Sequence, residues 1–125
     1  MFDTSLIVDA SRKKKYALDL IESYSGKEQV ATTIITKYEM LRGAPKQYID
    51  FVVSLLDRFV ILDFEGKAVE EAVKVYKSLS NKGKMINELD IIILGIVMAN
   101  NQTIITKDKD FINYENNKVT VLSQK

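Results

Sequence analysis

Carboxylates stand at the ends of apolar segments in separate parts of this chain: Asp3, Glu39, Asp90 and the Asp108/Asp110 pair. Asp3 opens the run Leu6-Ile7-Val8, Asp90 opens Ile91-Ile92-Ile93-Leu94, and Asp108 and Asp110 follow Ile104-Ile105. Acids ordinarily go to solvated faces. Acids at the mouths of core elements can converge on one point, and converged carboxylates need a cation to offset their desolvation and repulsion. The chain has no His and no Cys, so the donors available are hard oxygens, which suit a divalent cation such as Mg2+. Each acid also has an ordinary reading. Asp3 alone fits a solvated amino terminus, and Glu39 fits a helix-surface acid. Asp90 fits a first-turn carboxylate behind an Asn87 cap, and Asp108 fits the cap of a short helix into Phe111. Only the set, taken together, points to chemistry.

The elements that must position these acids alternate. Thr4 to Val8 reads as a short strand, with Asp9 or Ser11 able to cap the next helix. Tyr16, Ala17, Leu20, Ile21 and Tyr24 recur at helical spacing from Lys13 to Tyr24, and Gly26 ends that helix. Gln29 to Thr33 is strand-like, and Ile34 to Arg42 is a helix closed by Gly43 with Pro45 beyond. Tyr48, Phe51, Val52, Leu55, Leu56 and Phe59 form a second helical stripe. Val60 to Phe64 is a strand. Ala68, Val69, Ala72, Val73, Tyr76 and Leu79 form a third stripe. Asn87 caps a helix running to about Met98, Asn100-Asn101 turns the chain, and Thr103 to Thr106 and Val119 to Leu122 are the last strands. Such alternation predicts an α/β fold, an α/β/α sandwich with a central, mainly parallel sheet of about four to five strands. The ligand crevice of such a sheet lies outside the carboxyl ends of its strands, where Asp108 and Asp110 fall.

At 125 residues and 46% hydrophobic content the chain is expected to be a single domain over 1–125. Without cysteine, a disulfide framework or thiolate zinc site is excluded. Met1-Phe2-Asp3 places an acid where a secretory leader is basic, and Leu89 to Ala99 is too short to span a bilayer, so a cytoplasmic protein away from membranes is expected. The net charge of +1 gives no global pull toward nucleic acid. Locally, Arg12-Lys13-Lys14-Lys15 is a basic run, Lys82 and Lys84 flank Gly83, and Lys107 and Lys109 interleave with the terminal aspartates.

Asp3-Thr4-Ser5-Leu6-Ile7-Val8-Asp9 resembles the D-T-S/N-x-L-I-D opening of PIN domains. The segment from Thr33 through Thr36 and Glu39 to Gly43 is similar to their S-x-x-T-x-x-E-L-x-x-G. Gly83-Lys84 followed by Asp90-Ile91-Ile92-Ile93 is similar to their third-acid helix start, and Thr106-Lys107-Asp108-Lys109-Asp110-Phe111 matches their T-x-D-x-D-F. Order and spacing hold over essentially the whole chain, and size and pattern most resemble the VapC-type toxins of prokaryotic toxin–antitoxin pairs. Two departures spare the acids: Ile93-Leu94-Gly95-Ile96-Val97 replaces an alanine-rich helix, and Thr33 stands where serine is commoner.

The resemblance implies a metal-dependent endoribonuclease acting on tRNA, rRNA or mRNA, a homodimer, and a small antitoxin whose tail reaches the acidic site. It implies Mg2+ or Mn2+, as one ion or as two about 4 Å apart. Asp3 and Asp90 are expected as main ligands, with Glu39 and Asp108 or Asp110 binding directly or through water. Thr4, Ser5 and Thr106 would orient those carboxylates, and Arg42, Lys84, Lys107 and Lys109 could hold flanking phosphates. With no His, a side-chain general base of the usual kind is missing, which agrees with water activated by metal. Alternatives are a PIN-like nuclease of RNA processing and a PIN-like module that binds RNA or protein without cutting. A phosphoacceptor receiver domain fits less well, because Asp3 precedes its expected strand and Asp63 lies inside Leu62-Asp63-Phe64.

Overall fold

The computed structural model describes residues 1–25, 30–114 and 119–121. Its helices are α1 (Thr4–Ser11), α2 (Lys15–Ser25), α3 (Ile34–Gly43), α4 (Ile49–Leu56), α5 (Gly66–Lys82) and α6 (Glu88–Ala99). Its strands are β1 (Ala31–Thr33), β2 (Val60–Leu62), β3 (Ile104–Thr106) and β4 (Val119–Val121), with 3-10 turns at Lys46–Tyr48 and Lys109–Asn113. The expected terminator Gly26, strand start Gln29 and strand end Leu122 lie outside the described residues.

All strand pairs are parallel: β1 with β2, and β3 with β4. The amino terminus joins the two pairs. Phe2 bridges Ile105, the Phe2 N–H donates to the Ala31 carbonyl at 3.1 Å, and the Asp3 N–H donates to the Ile105 carbonyl at 3.0 Å. The expected α/β fold with parallel pairing forms, but among the described residues as two two-stranded sheets, β1-β2 and β3-β4, rather than one sheet of four to five strands. Adjacent residues of β3 show the two faces. Ile105 packs with Phe2, Leu6, Ile7, Ile21 and Leu55, whereas Ile104 packs with Val75, Leu79, Ile91, Leu94 and Phe111. Successive strand side chains point to opposite sides, so α1, α2 and α4 cover one face and α5 and α6 the other.

The first element departs from expectation. Thr4 to Val8 is helical, and the first strand shrinks to the residues around Phe2. Leu6, Ile7 and Ala10, all fully buried, supply a helical face, which the short aliphatic run alone does not distinguish from strand alternation. Asp9 and Ser11 therefore end α1 rather than cap α2. The stripe expected from Tyr48 to Phe59 shortens to Ile49–Leu56 after the 3-10 turn that follows Pro45.

Two glycines set the hairpin that carries Asp90. Gly83, at φ +65°, ends α5 with its own N–H on the Ser80 carbonyl and the Lys84 N–H on the Leu79 carbonyl, a left-handed cap suited to glycine. Gly95 lets α6 press on α5: a Cβ there would lie 2.6 Å from the Ala68 carbonyl oxygen and 2.6 Å from the Ala72 Cβ. Ala68, Ala72, Val75 and Leu79 form the buried stripe of α5, and Val69, Val73 and Tyr76 stay exposed on another face. Among the described residues, no helix is long and apolar enough to cross a membrane.

Candidate active site

Asp3 follows the isolated bridge between Phe2 and Ile105 and stands at the amino end of α1, without a side-chain capping bond to that helix. It is 4% exposed. Its Oδ2 accepts from the Thr106 hydroxyl at 2.7 Å and, more weakly, from the Ser5 hydroxyl at 3.4 Å. Its Oδ1 is buried without a hydrogen-bond partner among the described residues. Burial pushes the Asp3 carboxyl above its ordinary range; the Thr106 bond and the Thr4 amide pull it back, and the charges of Asp108 and Glu39 push it up further. An orphaned, desolvated carboxylate oxygen is costly in a finished core and fits a position where a cation completes the shell.

Thr106 is the junction. Its hydroxyl donates to Asp3 and accepts the Asp108 N–H at 3.0 Å. Asp108 in turn caps the 3-10 turn by accepting the Asp110 N–H at 2.9 Å, as expected from its place before Phe111. Asp108 is half-buried and Asp110 exposed, and Asp108 is the one of the pair whose charge raises Asp3. Asp108 is thus the inner acid and Asp110 the outer one.

Glu39 reaches the same region from α3. A run of hydroxyls ends on it: Thr33 donates to Thr36 at 3.2 Å, Thr36 and Thr4 share a bond of 2.9 Å, and Thr4 donates to Glu39 Oε1 at 2.9 Å. Thr33 also caps α3 by accepting the Thr36 N–H. Thr33 and Thr36 belong to a motif visible in the sequence, but their relay to Glu39 is not, because Thr4 lies on another element.

Asp90 enters from the first turn of α6, where Asn87 caps through the Leu89 N–H as expected. A helix amino terminus would normally lower such a pKa. Here burial first, then the charges of Asp3, Asp108, Glu39 and Asp110, push Asp90 up to about 7. The charges of the other four expected acids thus reach Asp90, and those of Asp108 and Glu39 reach Asp3. Even so, among the described residues no three acidic side chains converge into a ready-made ligand set for one ion. The two findings agree physically, since charge coupling extends beyond bonding distance and like charges hold apart. Mg2+ itself takes one or two carboxylates and keeps several waters. The donor chemistry and the orphaned Asp3 oxygen fit a hard divalent cation.

The basic residues divide. Lys107 is ion-paired with Asp9, and Arg42 is exposed and stacked over Tyr38 at 5.0 Å. Lys84 and Lys109 are exposed. Beside Glu39 opens an apolar groove of about 620 Å³, walled by Met40, Tyr48, Phe51 and Val52 and rimmed by Arg12 and Lys13.

A family profile described as PIN domain matches residues 1–117. Ribonuclease VapC1 of Methanocaldococcus jannaschii is 26% identical over 110 residues, 87% of this chain and 75% of the relative. VapBC2 from Rickettsia felis, solved bound to a DNA fragment from its promoter, superposes with a TM-score of 0.86 at 22% identity, covering 98% of this chain and 96% of that one. A toxin–antitoxin complex from Klebsiella pneumoniae gives 0.81 at 24% identity over 96% and 94%.

Proposed function

This chain belongs to the PIN domain family, and on that premise we propose that it is a divalent-metal-dependent endoribonuclease, the toxin of a VapBC-type pair. The observation that carries this reading is the raised Asp90, opposed by burial and by four other acids, joined to a buried Asp3 oxygen that has no hydrogen-bond partner among the described residues. The likeness to a ribonuclease VapC1 supports the substrate class.

In this reading Asp3 and Asp90 are the main ligands of Mg2+ or Mn2+, with Asp108 and Glu39 bound directly or through water and Asp110 outermost. When bound, the cation supplies a water of lowered pKa and positive charge for the phosphate. Thr106 holds Asp3 Oδ2 and the Asp108 backbone in one geometry, and Thr4 aims Glu39. Asp90 carries a proton over part of the neutral range and yields it when the site fills, because a metal competes with protons for carboxylate oxygen. Arg42, Lys84 and Lys109 lie exposed on the surface and would take flanking phosphates of tRNA, rRNA or mRNA. Lys107 is engaged by Asp9 and is left out of that set.

The partners are argued from surface chemistry. The groove beside Glu39, apolar with a basic rim, suits an antitoxin segment that carries apolar side chains toward the acids. The exposed Val69, Val73 and Tyr76 stripe of α5 suits a second copy of the chain. The decisive experiment is cleavage of a labelled total-RNA pool by purified protein with Mg2+, with Mn2+ and with EDTA, beside Asp90→Asn. Cutting that needs metal and vanishes in the variant supports the proposal. Cutting that survives Asp90→Asn, or none from folded, metal-binding protein, overturns it.

A further inference from the structure

Asp9 has no part in the metal site and is too well served to be accidental. It is 3% exposed, on the last turn of α1. Its Oδ2 accepts from the Tyr16 hydroxyl and from Lys107 Nζ, and Lys14 Nζ lies 3.4 Å from its Oδ1. Burial alone would raise its pKa, but these donors together hold it below the ordinary carboxylate value. A buried acid with such partners is a fixed point.

Its location gives the fixed point a use. Lys107 lies between Thr106, which holds Asp3, and Asp108, the inner acid of the loop. Helix α1 thus grips the same three-residue segment twice, at Asp3 through Thr106 and at Asp9 through Lys107. Along α1 the two grips are six positions apart, about 9 Å at the helical rise. Thr106 is fixed as the last residue of β3, and the Lys107–Asp9 pair fixes the direction in which the chain leaves that strand toward Asp108.

We infer that Asp9 is a positioning residue: by holding Lys107 it sets the orientation of the segment from Thr106 to Asp108 and hence the geometry of the Asp3–Asp108 carboxylates. This rests on the metal-site reading of those two acids. It also assigns Lys107 to Asp9 rather than to RNA or to the acid cluster.

Mn2+ affinity, measured by titration calorimetry at a temperature where circular dichroism shows every variant folded, tests it. Asp9→Asn and Lys107→Met should each weaken Mn2+ about tenfold, within the range for groups that orient metal ligands. The double variant should be no more than about threefold worse than the weaker single one, because both break one contact. Lys107→Arg, which keeps the ion pair, should bind within about threefold of wild type. Should Asp9→Asn fail to fold, Lys107→Met and Lys107→Arg decide the matter, since the Lys107 side chain is 27% exposed. Wild-type affinity in Lys107→Met overturns the inference, as do losses that multiply in the double variant. Wild-type protein that binds no Mn2+, or Asp90→Asn that binds as wild type does, overturns the metal-site reading and this inference with it.

Discussion

Replacing Asp90 with asparagine should stabilise the metal-free protein while removing its activity. The Asp90 pKa rises from 3.8 to about 7 because burial and four neighbouring acids oppose its charge. That is about three pH units at ~1.4 kcal/mol each, so the ionised carboxylate costs the folded chain at most about 4 kcal/mol. Asp90 is only half-buried, and solvent screening brings the expected gain in Asp90→Asn to roughly 1–2 kcal/mol. The folded pKa lies above the unfolded one, so the penalty is absent below about pH 4, grows between about pH 4 and 7, and is complete above that. Thermal unfolding in EDTA at about pH 8 should therefore show Asp90→Asn melting roughly 4–7 °C higher than wild type. At about pH 5 the gap should shrink to roughly a third, because the folded chain then keeps the Asp90 proton that the unfolded chain has already released, and it should close at about pH 4. Saturating Mg2+ should raise the wild type by the linkage term, about 2.7 kcal/mol at a hundred times Kd, and the variant far less. A variant that melts below wild type in EDTA at about pH 8, or an advantage unchanged at about pH 5, would refute the reasoning.

Thr106→Val keeps the shape of a fully buried side chain but removes the bonds to Asp3 and Asp108, so Mn2+ affinity should fall ten- to a hundredfold by calorimetry. Mn2+ binding by wild type should itself weaken about tenfold from about pH 8 to about pH 6, as Asp90 takes up its proton; a flat profile would show that Asp90 is not a ligand. Gly95→Ala brings a methyl to 2.6 Å from the Ala68 carbonyl oxygen, and overpacking should outweigh the gain in helix propensity, for a loss of about 1–3 kcal/mol in urea unfolding.

Local signals were legible in the sequence because their partners are sequence neighbours. Asn87 capping α6 and Asp108 capping its 3-10 turn each act within a few positions. Long-range pairings were not legible. Thr106 meets Asp3 across 103 positions and Lys107 meets Asp9 across 98, and nothing in either local pattern names the other. Asp9 therefore read as a cap, and Lys107 as a phosphate contact. Thr4 to Val8 failed for a different reason. A short apolar run satisfies strand and helix alike, and the choice is made by Phe2, which takes the sheet position between Ala31 and Ile105 and leaves Leu6 and Ile7 to pack as a helix. The acids could be read together because they share a type and a place at element ends; their charges on Asp90 come from the fold.

The groups that hold these acids are hydroxyls, and that choice follows from charge. Thr106 secures Asp3, Thr4 secures Glu39, and Thr33 and Thr36 stand behind Thr4. A lysine or arginine in any of those positions would hold a carboxylate more strongly, but it would also neutralise it and repel a divalent cation. A hydroxyl fixes one oxygen and leaves the net charge and the remaining lone pairs for a metal. Lys107 obeys the same logic from the opposite side: its backbone sits between two site residues, and its ammonium is drawn to Asp9 on the last turn of α1. Burial first, and then the repulsion left among the acids, raise the Asp90 pKa; in the proposed metal site that same repulsion would favour a cation, so a substitution that relaxes it should trade binding for stability.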